Sequence, residues 1–400
     1  MESVDIAIIG GGLVGASLAL ALQEGARQRG WRIALIEPFA PGNEFQPSYD
    51  ARASALAHGS QQIYQRLGIW PQVAKRAEAI AQIHVSEQGR FAAAELHATE
   101  QQVSALGHVV ENAWLGHCLW SALDRELIEW YCPARVASMQ AQPNGYQLQL
   151  DNGNSLHCKL AILADGGRST LRQQLGIHCQ ERSYNQTAII SNVSPAHSHH
   201  GWAYERFAPD GPMALLPMTD NRFVLIWTRP PAEAERLAAL PPDAFLDELQ
   251  DAFGYRMGRF VQLGQRHLYP LSLAVSSEQV RRHLVVLGNA AHSLHPIAGQ
   301  GYNLSLRDAI ALAEQLLASN APLGDLTTLQ AYVAGQQTDQ ELTIGFSDQI
   351  TRLFSNRTPG LSQARSLGLL GLELCPPAKN IFARQAMGLG SRPVISGSTA

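Results

Sequence analysis

A glycine turn near the start of the chain limits its fold more than any other feature. Gly10-Gly11-Gly12-Leu13-Val14-Gly15 fits the spacing G-x-G-x-x-G. It lies between an apolar run at residues 4–9 and a helix-like segment at residues 13–27. A second apolar run at residues 33–37 ends in Glu37. Strand, glycine turn, helix and strand form the opening unit of a parallel sheet. The first glycine permits the tight bend and the second lets backbone approach a pyrophosphate. The third lets helix and strand pack closely. Amides at the helix N-terminus then favour phosphate charge. Glu37 stands 22 positions beyond Gly15, where a carboxylate accepts from the ribose hydroxyls of an adenosine. A turn that only packs helix on strand explains the glycines but not the acid. The motif by itself does not separate FAD from NAD.

Four hundred residues with 46% hydrophobic content suit two or three domains, or one large domain carrying a smaller one. A net charge of −4 speaks against a nucleic-acid-binding face. The five cysteines (Cys118, Cys132, Cys158, Cys179, Cys375) show no CxxC spacing, so neither a zinc site nor a disulfide framework is expected. His197-Ser198-His199-His200 has no flanking acid or cysteine and reads as a solvated turn, so no metal is expected. The opening Met1-Glu2-Ser3-Val4-Asp5 lacks a basic signal-peptide region, and no apolar run reaches the roughly 18–20 residues that span a bilayer. The expectation is a cytoplasmic chain, peripheral at a membrane at most.

Two later segments repeat the strand–turn pattern. Residues 160–164 are apolar and lead into Asp165-Gly166-Gly167-Arg168-Ser169-Thr170-Leu171-Arg172. Residues 284–287 lead into Gly288-Asn289-Ala290-Ala291-His292, followed by Ser293-Leu294-His295-Pro296-Ile297-Ala298-Gly299-Gln300-Gly301-Tyr302-Asn303. Each alone is compatible with a capped helix. Residues 145–150 and 155–164 read as a hairpin around Asn152-Gly153. Residues 50–77 and 115–130 read as mostly helical, and 184–230 as strand-rich. The fold class is α/β. A Rossmann-like dinucleotide-binding domain with a parallel sheet is expected from 1–75, 105–180 and 270–330. A β-sheet-rich substrate domain is expected from 76–104 and 181–269, and a C-terminal helical region from 331–400.

In this order the three turns resemble the para-hydroxybenzoate hydroxylase-like flavin monooxygenases. Asp50-Ala51-Arg52-Ala53-Ser54-Ala55-Leu56, Glu205-Arg206-Phe207 and Gly211-Pro212-Met213-Ala214-Leu215-Leu216-Pro217-Met218 are similar to the ubiquinone-biosynthesis hydroxylases. Gly288-Asn289-Ala290-Ala291 and Glu37-Pro38 resemble their 2-polyprenyl-6-methoxyphenol hydroxylase branch. The resemblance implies that the dinucleotide domain is an FAD domain of the GR2 type, with FAD held by Gly10, Gly12, Leu13, Val14, Gly15, Glu37, Arg52, Asp165, Gly166, Gly288 and Asn289. Pro296, Gly299, Gln300, Gly301, Tyr302 and Asn303 would lie along the isoalloxazine. The helix N-terminus at Tyr302 would then stabilise the negative N1–O2 edge of reduced flavin. Most relatives carry Asp at Asn289, so a weaker hold on FAD is implied. Gly116 replaces an Arg or Gln common in relatives, and Gln336 a common Arg, while Asp339 is kept.

The implied reaction is hydroxylation of a polyprenylated phenol in ubiquinone biosynthesis, with O₂ and NAD(P)H (or a protein electron donor), through a flavin C4a-hydroperoxide. Tyr204, Arg206, His292, His295 and Tyr302 are the candidates for contact with the phenol, and nothing in the sequence chooses among them. A flavin-dependent reductase or dehydrogenase on the same scaffold, or a flavin-holding subunit of a biosynthetic assembly, are the alternatives. Residues 351–400 hold six basic residues against one acid and enclose an apolar stretch at 367–374. Such a segment suits a membrane surface or an acidic protein partner, or packs as a helix with a solvated basic side.

Overall fold

The computed structural model describes residues 2–39, 53–90, 93–167, 169–208, 210–294, 299–354, 368 and 370–389. The first strand, Glu2–Ile9, shows how the larger body is built. Ile6 and Ile8 enter one core cluster, while Val4, Ala7 and Ile9 enter another. A strand apolar on both faces must be central and covered twice, as in parallel sheets. It is flanked in parallel by Ser155–Leu163 and by Ile33–Ile36. Leu284–Val286 lies beyond Ser155–Leu163, and Ile128–Tyr131 beyond Ile33–Ile36, both also parallel. The helices Leu13–Arg29, Asn112–Ala122 and Gln300–Ala318 supply one covering layer. The other is supplied largely by Val136–Gln142 and Gly145–Leu150, an antiparallel extension of Ser155–Leu163.

Among the described residues, a second sheet has nine strands and is mainly antiparallel. Its longest member, Cys179–Pro195, pairs with His267–Ser276 on one side and Arg222–Arg229 on the other. The helices Pro231–Ala239 and Pro242–Phe253 cover one of its faces. Its other face looks toward a small sheet of Ala53–Ala57, Gly107–Glu111 and Ala77–Ile80. The helices Leu326–Phe354 and Pro376–Ala386 complete the described chain. Among the described residues, no helix is long and apolar enough to cross a membrane.

Three local readings change. Residues 53–57, expected within a helical stretch, form a strand, and the helix starts at His58. The predicted helix over 115–130 is shorter: Asn112–Ala122 is helical and Ile128–Tyr131 is a sheet strand. His199 is not solvated; it is 6% exposed. Its Nε2 donates to Met218 O at 2.8 Å, and its Nδ1 accepts from Gly201 N–H at 3.1 Å. These bonds tie down a turn, and no metal-holding cluster occurs among the described residues.

Candidate functional site

The three sequence turns meet at the C-terminal ends of adjacent parallel strands. Gly10 has φ +109°, and a Cβ there would stand 2.3 Å from Ala164 O, so the first turn touches the second. A Cβ on Gly15 would stand 1.9 Å from Gly10 O. Gly12 differs: nothing lies within 4 Å of its Cβ direction. It is the N-cap of Leu13–Arg29 and receives no side-chain cap. Free amides and open space therefore coincide at one helix N-terminus, a cradle suited to a pyrophosphate.

Glu37 Oε2 accepts from Gly11 N–H at 2.7 Å, and its Oε1 accepts from Phe39 N–H at 3.1 Å. Trp120 Nε1 donates to Gly11 O at 2.8 Å. The Gly11 peptide is thus held from both sides. Trp120 lies one turn beyond Gly116 on the same helix, and Gly116 faces Leu13. Sequence reading singled out Gly116 and missed Trp120; a Trp one helical turn away was the available signal.

The second and third turns are fastened by Arg172, which is 3% exposed. Its Nη1 donates to Ala290 O at 2.5 Å and its Nη2 to Gly167 O at 3.4 Å. Ser169 caps the helix at Thr170 by accepting from Arg172 N–H, and donates to Asp165 Oδ2 at 2.8 Å. Burial raises the Asp165 carboxyl, with the Ser169 hydrogen bond opposing that shift. Gly288 has φ +67° and sits against Val14, while Gly167 approaches Asn289. Asn289 itself is exposed, between two turns that hold their own backbone.

Asn303 organises the last segment. Its Oδ1 accepts from Ala57 N–H at 2.8 Å and from Ser60 Oγ at 2.6 Å; its Nδ2 donates to Ala55 O and Gly299 O. Gly299 has φ +60° at the N-cap of Gln300–Ala318. Gln300 Nε2 donates to Ala386 O at 3.1 Å, joining this helix start to the C-terminal helix. Arg52, His295 and Pro296 lie outside the described residues.

Next to Asn303 is an apolar cavity that, with its mouth, holds ≈ 1060 Å³ of empty space. Ala55, Ala57 and Gly107 form part of one wall; Ile83, Val85, Ala203 and Phe207 form part of another. Phe346, Leu372, Phe382 and Ala386 close it from the C-terminal side. Of the candidate phenol contacts, Tyr204 belongs to the wall, but its ring packs with Phe253 and Phe223 and its hydroxyl donates to Met257 Sδ at 3.1 Å. Arg206 is two positions on and so shares that face of the strand. Burial and the charge of Arg256 lower its pKa. His292 Nε2 donates to Asp308 Oδ2 at 2.7 Å within a buried network that includes Gln340 and Gln279. Tyr302 bonds to Tyr64, which contacts Ser17, and burial pushes the Tyr302 phenol up to about 12. Of these four, only Tyr204 lines the cavity, and its hydroxyl is spent on Met257.

The structure also places Glu205 at the cavity. The strand Trp202–Phe207 alternates, so Ala203, Glu205 and Phe207 share the cavity side. Burial alone pushes the Glu205 carboxyl up to about 8. Glu205 keeps some exposed surface, and it lines the cavity. An acid in phase with Ala203 and Phe207 was the sequence signal that went unread.

The chain matches the family described as FAD binding domain over residues 3–338. Ubiquinone hydroxylase UbiL of Rhodospirillum rubrum is 35% identical over 397 residues, covering 97% of this chain and 91% of that protein. The 3-demethoxyubiquinol 3-hydroxylase of Escherichia coli is 31% identical over 396 residues, covering 97% and 99%. The crystal structure of p-nitrophenol 4-monooxygenase PnpA from Pseudomonas putida superposes with a TM-score of 0.78 at 19% identity, covering 98% of this chain and 100% of that one. The last likeness shows a shared fold. The family match and the two full-length relatives go further: the chain belongs to the FAD-binding-domain family and is an FAD-dependent monooxygenase.

Proposed function

We propose that this enzyme hydroxylates the aromatic ring of a polyprenylated phenol in ubiquinone biosynthesis, using FAD, O₂ and NAD(P)H. Gly10, Gly12, Leu13, Val14 and Gly15 would carry the pyrophosphate, with Glu37 near the ribose. Asp165, Gly166, Gly288 and Asn289 would carry the ribityl side. Gly299, Gln300, Gly301, Tyr302 and Asn303 would border the ring. Bound FAD supplies the electron transfer that activates one oxygen atom of O₂. The chain's own part is to hold the aromatic ring in a dry pocket and to keep water from the reacting atoms.

The observation that carries this reading is the apolar cavity beside Asn303 and Ala57, at the start of the Gln300–Ala318 helix. Its walls suit a ring bearing a hydrocarbon tail. The discontinuous division into an FAD domain and an inserted substrate domain belongs to the same proposal: the cavity lies between the second sheet and the small sheet. The test is incubation of the FAD-loaded enzyme with a prenylated phenol, NADH or NADPH, and ¹⁸O₂. One labelled oxygen per product molecule is expected. Consumption of O₂ with only hydrogen peroxide formed would count against it.

Peripheral membrane contact through the C-terminal region is part of the proposal. Leu370, Leu374 and Ile381 are 46%, 73% and 71% exposed, beside residues that close the cavity. A lipid surface there would put a membrane-dissolved tail next to the pocket.

A further inference from the structure

We propose that Glu205 is the general base that receives the phenolic proton of the substrate. The proposal rests on the hydroxylation reading and names the group within that pocket that touches the phenol.

Glu205 is the one ionisable carboxylate or base whose side chain faces the cavity among the described lining residues. No described residue gives it a hydrogen bond or an ion pair. The groups around it face away from it or are committed elsewhere. On its own strand Arg206 faces the opposite side, toward Arg256. On the neighbouring strand His84 also faces that side, near Arg256 and Arg206. Glu95, beyond it, lies in register with His84, while Leu96 faces the cavity. From the C-terminal segment, Glu373 Oε1 accepts from Lys379 at 3.1 Å, and its Oε2 accepts from Glu95 N–H at 3.0 Å. Lys379 also pairs with Glu100 at 3.3 Å. At the other wall, Asn303 spends its side-chain oxygen and nitrogen on Ala57, Ser60, Ala55 and Gly299.

A buried carboxyl without a partner is costly, because its charged form loses hydration with nothing in return. A phenolic hydroxyl entering the cavity supplies the missing donor. During oxygen transfer the ring carbon forms a bond to one oxygen atom of O₂ as the O–O bond breaks. The phenolic O–H bond breaks, its electron pair closes the C=O of a dienone, and the proton passes to Glu205. Loss of the hydrogen on the oxygenated carbon, as a proton, then restores the aromatic ring, and the carbonyl oxygen takes a proton back as the phenol. The second oxygen atom of O₂ leaves as water, with two electrons from NAD(P)H. Burial raises the carboxyl to about 8, close to the working pH, which suits a general base.

The first experiment measures the affinity of the FAD-loaded enzyme for a long-chain alkylphenol and for its methyl ether. The wild type is expected to prefer the phenol, and Glu205→Leu to bind both alike. The second follows single-turnover oxygenation against pH. The wild-type rate should rise about tenfold per pH unit and level off near pH 8, while Glu205→Gln should be slower by about 10²–10⁴-fold with a flat profile. Glu205→Asp should restore part of the slope. Equal wild-type affinity for phenol and ether, or an unchanged profile in Glu205→Gln, overturns the proposal. A retained phenol preference with no oxygenated product from the wild type overturns the hydroxylation reading, while supporting Glu205 as the phenol's partner.

Discussion

Gly10 and Gly12 stand two residues apart in one turn but are glycine for different reasons. A side chain at Gly10 meets Ala164 O and demands φ +109°. Gly10→Ala should therefore lower stability by about 1–3 kcal/mol, measured by thermal unfolding without flavin. A side chain at Gly12 meets open space. Gly12→Val should fold with a melting temperature near wild type yet lose retained FAD, read from the flavin absorbance after gel filtration. Glu205 gives a second prediction at this scale. Its carboxyl titrates near 8 in the fold and near ~4.3 in an unfolded chain. Between those values the folded chain keeps a proton that the unfolded chain has released. Stability therefore falls as pH rises through that window and levels off above it. The melting-temperature advantage of Glu205→Gln over wild type should grow from pH 5 to pH 8; parallel curves would contradict the burial of this group. The glycines were legible because backbone geometry leaves few alternatives. Glu205 was hidden because an acid in a strand ordinarily marks the wet face.

Elements were legible where apolar content is continuous and glycine or acid punctuates it, as in Glu2–Ile9, Leu13–Arg29 and Ile33–Ile36. Ala53–Ala57 was read as helix because Leu56, Ile63 and Leu67 fall at helical spacings. Pairing with Gly107–Glu111 overrides that pattern. Ile128–Tyr131 was missed because four residues with an acid at the second position carry little pattern. Neither the stapling of the second and third turns by Arg172 nor the fixing of a helix start by Asn303 could be read from spacing. Removing Arg172 would strand Ala290 O and Gly167 O. Arg172→Ala is expected to cost about 1.5–3 kcal/mol in chemical denaturation and to weaken FAD binding. The C-terminal helix is more than a basic tail. Lys379 is buried and paired with Glu100 and Glu373, and Phe382 and Ala386 face the cavity. Leu374→Ser with Ile381→Ser should reduce flotation with anionic vesicles and leave FAD content unchanged; equal flotation would contradict the membrane reading.

At the scale of the whole molecule, function follows from two sheets set against each other. The parallel sheet brings Gly10, Asp165 and Gly288 to one end, and the antiparallel sheet offers an apolar face from its neighbouring strands. The first arrangement was legible because each of its strands ends in a recognisable turn. The second was not, because the cavity is made by residues from 55 to 386 that no local pattern connects. The most direct test of the account is a crystal structure of the FAD-loaded enzyme. It should show the pyrophosphate at Gly12 and Leu13, with the isoalloxazine between the turn of Gly288 and the cavity lined by Ala57, Glu205 and Phe207. A flavin bound elsewhere, or a ring turned away from that cavity, would contradict it.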